Sequence, residues 1–266
     1  MPPTLLRTHR VFVRFNLISA ITVLLLTCLA LRAAPADELI ATGDAFYAKL
    51  QAAEALKVYL RAEKLEPNNV RLLAHISREY RHLMCDATSA EEKLRLGRTA
   101  VDYARRAVVL DANNPEAQLA VAISYGKVEP FENNREKFEA VHIIKDSIDK
   151  AIKLDPRNDL GWHVLGRWHE RLAEVNPVVR AMAQVAFGKL PDSTHEEAVN
   201  CFEKAIALNP NRLMHYIELG LVYTQMGRSD DARRLISSGL SMPNTEKDDP
   251  EIKRQGREAL TKLSMR

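Results

Sequence analysis

The sequence predicts an all-α fold: a solenoid of stacked helical repeats, with insertions that lengthen the helices of the middle repeats. Two observations carry this expectation. A frame of small and apolar residues at helical spacing returns five times between residues 55 and 244, and self-similarity of this kind marks repeat architectures. Composition agrees, because aromatics make up only 6% of 266 residues while hydrophobic residues reach 46%. An alanine-rich chain with few aromatics favours helices over sheets, and this length buries a substantial core.

Residues 1–36 read as a separate object. Arg7, Arg10 and Arg14 precede an apolar run from Leu17 to Leu31, and Ala34-Pro35-Ala36 then offers small residues where a signal peptidase reads. The run falls short of the roughly 20 residues that span a hydrocarbon core. A cleaved signal peptide, with the mature chain starting near Asp37, is therefore expected, and export to the periplasm or medium with it. The alternative is a membrane anchor formed by residues 11–31, which would enclose Arg14. "LLTC" at Leu25–Cys28 has the outline of a lipoprotein box, with threonine where a small residue is expected. The formal charge is +3, and residues 1–36 hold four arginines and no acid. The body is thus near neutral, which argues against nucleic acid as a partner.

Residues 37–266 read as one repeat domain. In the first copy Ala55, Tyr59, Ala62, Leu65 and Pro67 share a frame that returns at Ala100, Ala104, Ala107, Leu110 and Ala112. It returns at Ile144, Ile148, Ala151, Leu154 and Pro156, and at Ala198, Phe202, Ala205, Leu208 and Pro210. A degenerate fifth copy is Ala232, Ile236, Gly239, Met242 and Asn244. Steps of three and four set these residues on one helical face, and the proline stops the helix. Each copy has a preceding helix marked by a small residue at its eighth position: Gly43, Ser77, Ala122, Gly166 and Gly220. Trp162-x-x-Leu165-Gly166 matches the tetratricopeptide signature. Trp162 is accordingly expected to fill the hole between paired helices, whereas Trp168 lies off the pattern. The repeats run over about 36–69, 70–114, 115–158, 159–212 and 213–246, with a C-terminal capping helix over 247–266.

Insertions separate the two helices of the second, third and fourth repeats. Ser89 to Glu92 and Ser193 to Glu196 each read as a capping box opening a helix. In the longest insertion Asn176 can cap, Pro177 suits the first helical position and Gly188 can end the helix. Val178, Met182 and Val185 give that helix an apolar face, which is expected to pack beside Trp168.

The arrangement resembles the regulator of microtubule dynamics family. The resemblance rests on "LGRW" (Leu165–Trp168), "FGKLPDSTHEEA" (Phe187–Ala198), "FEKAIALNPN" (Phe202–Asn211) and the tail "MPNTEKDDPEIKRQGREAL", and covers residues 37–266. It implies an all-helical repeat bundle without known catalysis, association with microtubules and, from a membrane-anchored animal member, organelle contacts and phospholipid binding. An export leader on such a body fits a bacterial homologue.

No catalytic constellation is legible. His75 and His82, and His163 and His169, lack the HExxH spacing of a zinc site, and there is no G-x-S-x-G, phosphate-cradling loop or CxxC. Neither a cofactor nor a metal is expected. Cys85 and Cys201 read as small apolar fillers, and the carboxylates as solvated. The function expected is a non-enzymatic scaffold that grips a protein or peptide segment in its concave face; the alternative, from the resemblance, is an anionic lipid in the groove at a membrane. Groove-facing offsets of the first helices select Arg71, Arg78, His82, Leu119, Ile123, His163, Arg167, Arg171, Met214, Ile217 and Leu221. Arg78 and Arg167 share one offset, and they either bind an anion or are neutralised by glutamates of the insertions.

Overall fold

A computed structural model of the protein describes residues 35–265. The predicted leader therefore lies outside the described residues, apart from Pro35 and Ala36, which belong to a first helix, α1, over residues 35–47. The described residues form helices and turns without a strand. In chain order follow α2 (Ala52–Glu63), α3 (Val70–Asp86), α4 (Ala90–Leu110), α5 (Pro115–Val128), a 3-10 turn (Glu129–Phe131), α6 (Asn134–Leu154) and α7 (Asp159–Ala173). Then come α8 (Pro177–Ala186), α9 (His195–Leu208), α10 (Leu213–Gln225), α11 (Ser229–Ser241) and α12 (Asp249–Ser264). None of these helices is long and apolar enough to cross a membrane.

The five pairs are α1/α2, α3/α4, α5/α6, α7/α9 and α10/α11. The first helices α3, α5, α7 and α10 touch in succession, and each second helix leans on the next first helix. This is the tetratricopeptide-like solenoid. Its packing rule is visible at the eighth positions. A methyl on Gly43 would run into the Tyr59 ring, one on Gly166 would sit 3.0 Å from Phe202, and one on Gly220 2.5 Å from Ile236. Tyr59, Phe202 and Ile236 are all fully buried, so a large second-helix residue fills the space a missing side chain leaves. The frame is buried through its third position in every copy. At its fourth, however, Leu65, Leu110 and Leu154 are exposed, because they lie at or past the end of their helices, beyond the pairing.

The insertions take two forms. In the second and third repeats they lengthen α4 and α6 to 21 residues each, against 12 for α2 and 13 for α11. In the fourth they add the separate helix α8. Asn176 caps α8, with Pro177 at its first position, and Gly188 follows its end at φ +123°, a left-handed angle that glycine adopts without strain. The first expected capping box is half formed: Ser89 accepts from the Glu92 N–H, but the Glu92 carboxylate turns to Arg95. The second is shifted by one residue, to Thr194 and Glu197, because the Ser193 hydroxyl is engaged by His169. The chain ends on α12, which packs against α10 and α11 through Ile252, Gly256 and Leu263.

Three expectations are corrected. The tryptophans exchange roles. Trp168 is 7% exposed and donates its indole N–H to the Val141 carbonyl at 2.9 Å, while Trp162 is half-buried and bonds the Pro156 carbonyl. Leu165, Trp168 and Leu172 are three and four residues apart and form the face turned to α6, whereas Trp162, one turn before Leu165, flanks that face and is only partly covered. The apolar stripe of α8 does not pack beside Trp168. Val178 and Met182 are 66% exposed and Val185 90%, because α8 is seated by its opposite side. There Arg180 donates to the carbonyls of Leu172, Leu190 and Pro191, Ala183 meets the core, and Phe187 meets Phe138. Cys85 is not an apolar filler either: it is exposed, and its thiol meets Asp248 at 2.7 Å.

Candidate functional site

A cavity of about 1300 Å³ opens among α5, α6, α7, α8, α10 and α12, above the roughly 300–1,000 Å³ of small-molecule sites. Its walls are apolar: Ile123 from α5, Phe138 and Val141 from α6, Leu160, Val164 and Trp168 from α7, Met182, Ala183 and Phe187 from α8, and Met214 from α10. The inserted helix α8 thus forms one wall. Ala183 and Phe187 of its inward side line the cavity, Met182 touches it while staying 66% exposed, and Val178 and Val185 face out.

Charged groups gather around this apolar interior. Arg171 pairs with Glu129 at 2.5 Å, Arg254 with Glu251 at 2.5 Å, Lys127 with Asp248, and Arg167 with Glu218. Lys93 and Lys137 also line the cavity, and neither has a carboxylate within ion-pairing distance among the described residues; the Lys93 ammonium lies 5.8 Å from the Phe131 ring centre. Arg167 additionally reaches Glu170 at 3.2 Å. Burial raises the Glu218 carboxyl above its usual range although Arg167 opposes this, and the buried Glu218 pairs with a partly exposed Arg167 at the cavity edge.

His163, in the cavity lining, belongs to a buried histidine pair. His163 and His215 meet through their Nδ1 atoms at 3.0 Å, and the far side of His215 meets Asp159 at 2.9 Å, where Arg212 also lands. Burial pushes His163 well below the usual histidine range and lowers His215 despite Asp159, so both rings stay neutral near pH 7. With His215 donating to Asp159, its remaining nitrogen accepts from His163.

The residues selected from sequence divide. Ile123, His163, Arg167, Arg171 and Met214 line the cavity. Leu119 and Ile217 are core, and Leu221 packs against the cluster around Ile217. Arg71 is exposed and pairs with Asp44. Arg78 lies 3.6 Å from the Tyr47 ring centre and donates to the buried Glu79 at 2.9 Å, and His82 bonds the same carboxylate. Arg78 and Arg167 are thus both neutralised, by glutamates of the first helices themselves rather than of the insertions. Sequence reasoning missed Glu79, Glu170 and Glu218, read as solvated and found buried. It also missed Asp159, His215 and Phe138. The available signal was position: Glu79 and Glu218 each lie two residues from the small eighth residue of their helix.

Among solved structures, a thermophilic tetratricopeptide protein of Thermus thermophilus superposes with a TM-score of 0.63 at 18% identity, over 85% of this chain and 99% of that one. A Pseudomonas aeruginosa structure described as PilF gives 0.52 at 13%, over 88% and 90%. These support the fold. Among curated proteins, regulator of microtubule dynamics protein 1 of Mus musculus is 30% identical over 86% of this chain and 75% of its own. The human protein 2 is 27% identical over 74% of this chain and 48% of its own. A family model described as regulator of microtubule dynamics protein 1-3 matches residues 39–264. A repeat stack whose fourth repeat carries an extra helix, matched over nearly all its described length, belongs to the regulator of microtubule dynamics family.

Proposed function

We propose that this domain is a non-enzymatic scaffold that holds an elongated apolar ligand with an anionic head, of the kind an acyl lipid presents. The observation that carries this reading is the apolar cavity with Lys93 and Lys137 at its lining and no carboxylate paired to either among the described residues. An apolar chain gains about 0.8 kcal/mol per buried methylene, and unpaired ammonium groups favour a phosphate or carboxylate head. The concave-face peptide reading has less support at Arg78 and Arg167, whose charges are already met by Glu79, Glu170 and Glu218. Exposed Val178, Met182 and Val185 on the wall helix suit delivery at a membrane surface. Export through the leader belongs to the same proposal. It places the domain apart from cytosolic microtubules, which the relatives' names invoke, and predicts a mature amino terminus at or near Asp37 by mass measurement.

The test is extraction. Protein purified from its native compartment should release acyl lipid in near-stoichiometric amount, and Val164→Trp, which fills the cavity, should release little. Equal lipid from both, or none from either, would contradict the reading.

A further inference from the structure

Residues 242–248 connect α11 to α12, and this strap does not stay with its own repeat. It reaches α3 and α5, more than a hundred positions away in sequence. The Asp248 carboxylate accepts from the Cys85 thiol at 2.7 Å and pairs with Lys127, and Lys247 meets Asp86 at 2.9 Å. Behind it the strap is held in shape: Asp249, fully buried, accepts from the backbone N–H of Thr245 and of Glu246 at 2.7 Å each, and Glu246 pairs with Arg212 at 2.6 Å.

Arg81, on α3, stands close by. It is 8% exposed. Its Nη1 donates to the hydroxyls of Ser77 and Ser124 at 3.0 and 2.9 Å, and no carboxylate lies within ion-pairing distance of it among the described residues. A guanidinium carries five N–H donors, so two serines leave most of its capacity unused, and an uncompensated buried charge is costly. Burial pushes Arg81 down to about 10, and Asp248 is the acid that most opposes this. Lys127 and His82 in turn favour the charged form of Asp248, which stays low although burial raises it. The Cys85 thiol of α3 and the Lys127 ammonium of α5 thus converge on one carboxylate that the chain supplies from its far end.

We infer that the junction of α3 and α5, built from Lys127 and Cys85, is a carboxylate-binding site that the chain fills with its own Asp248, and that an acidic segment of a partner protein takes this place when the strap lifts. The strap is the template for that partner, a turn leading into α12 that carries Glu246, Asp248 and Asp249 in sequence. A tethered segment competes at an effective concentration in the millimolar range, so the partner must match several of these contacts. Lifting the strap without replacement would leave Lys127 without its carboxylate, which favours an acid in its place. The site borders the apolar cavity, whose lining includes Cys85, Lys127 and Asp248, but the inference does not depend on a ligand there.

The experiment uses the full chain and a fluorescein-labelled peptide of the strap itself, MPNTEKDDPE, followed by fluorescence anisotropy. Asp248→Asn should bind it at least about tenfold more tightly than wild type, one factor of ten being 1.4 kcal/mol. The peptide MPNTEKNDPE should lose that gain, and adding Lys127→Ala to Asp248→Asn should abolish it. Asp248→Cys keeps the test open if Asp248→Asn fails to fold: oxidised onto Cys85 the strap is locked and should bind no peptide, and reduction should restore binding. The inference is overturned if both peptides bind alike, if the locked and reduced forms do not differ, or if inorganic phosphate or phosphatidate vesicles occupy the opened site while the peptide does not.

Discussion

Replacing each tryptophan with alanine separates the packing seen here from the packing that the repeat signature suggests. Trp168 is 7% exposed, lies between α6 and α7, and donates to the Val141 carbonyl. Truncating a buried aromatic costs about 3–5 kcal/mol, and loss of the indole bond is included in that. Trp168 also borders the cavity, so its neighbours are fewer on that side and the lower end, about 3 kcal/mol, is expected. Trp162 is half-buried and its indole bonds a carbonyl at the surface, so Trp162→Ala should cost about 1 kcal/mol, near the centre of the distribution for point substitutions. Urea unfolding followed by far-ultraviolet circular dichroism reads both without relying on tryptophan fluorescence. A larger loss for Trp162→Ala than for Trp168→Ala would refute the assignment of the buried face of α7.

Glycine substitutions should split by site: Gly43→Ala, whose methyl would run into the Tyr59 ring, should lose about 1–3 kcal/mol from overpacking. Gly126→Ala in α5, with nothing within 4 Å, should gain about 0.5–1 kcal/mol from helix propensity, measured by the same unfolding curves. The buried histidines set a pH dependence. Since His163 and His215 are harder to protonate folded than unfolded, their contribution is complete above the unfolded value of about 6.5 and is lost as pH falls below it. The urea midpoint should therefore drop between about pH 6.5 and 5, and His163→Gln should flatten that drop; an unchanged slope would contradict the pairing. On α8, Val185→Lys should change stability by less than about 0.5 kcal/mol, as exposed sites do; a loss of about 2 kcal/mol or more, as large as a core truncation, would mean the stripe is buried.

The repeat frame made the stack legible because packing and periodicity are the same fact in a solenoid: a small residue at one position and a large one at the facing position recur wherever two helices cross. Gly43 with Tyr59, Gly166 with Phe202 and Gly220 with Ile236 all follow from it. What lies off the period was harder to see. The direction of α8 depends on Arg180 finding three carbonyls that belong to other segments, and its amphipathic pattern says only that two faces differ. The candidate site was legible in fragments. Ile123, His163, Arg167, Arg171 and Met214 reach the cavity, but Phe138 and Val141 come from a second helix lengthened by an insertion, where no groove offset applies. Glu79 and Glu218 look like any other helix carboxylate until Arg78 and Arg167 are placed beside them. Asp248 meets its partners only across the whole stack.

Photo-crosslinking locates the apolar chain proposed to lie inside the stack. A fatty acid carrying a diazirine near its methyl end, irradiated with the protein and mapped by mass spectrometry of its peptides, should label Phe138, Val164 or Ala183, residues from three helices that meet at the cavity. Labelling confined to the outer stripe of α8, at Val178 and Val185, or spread over α2 and α4, would contradict the account.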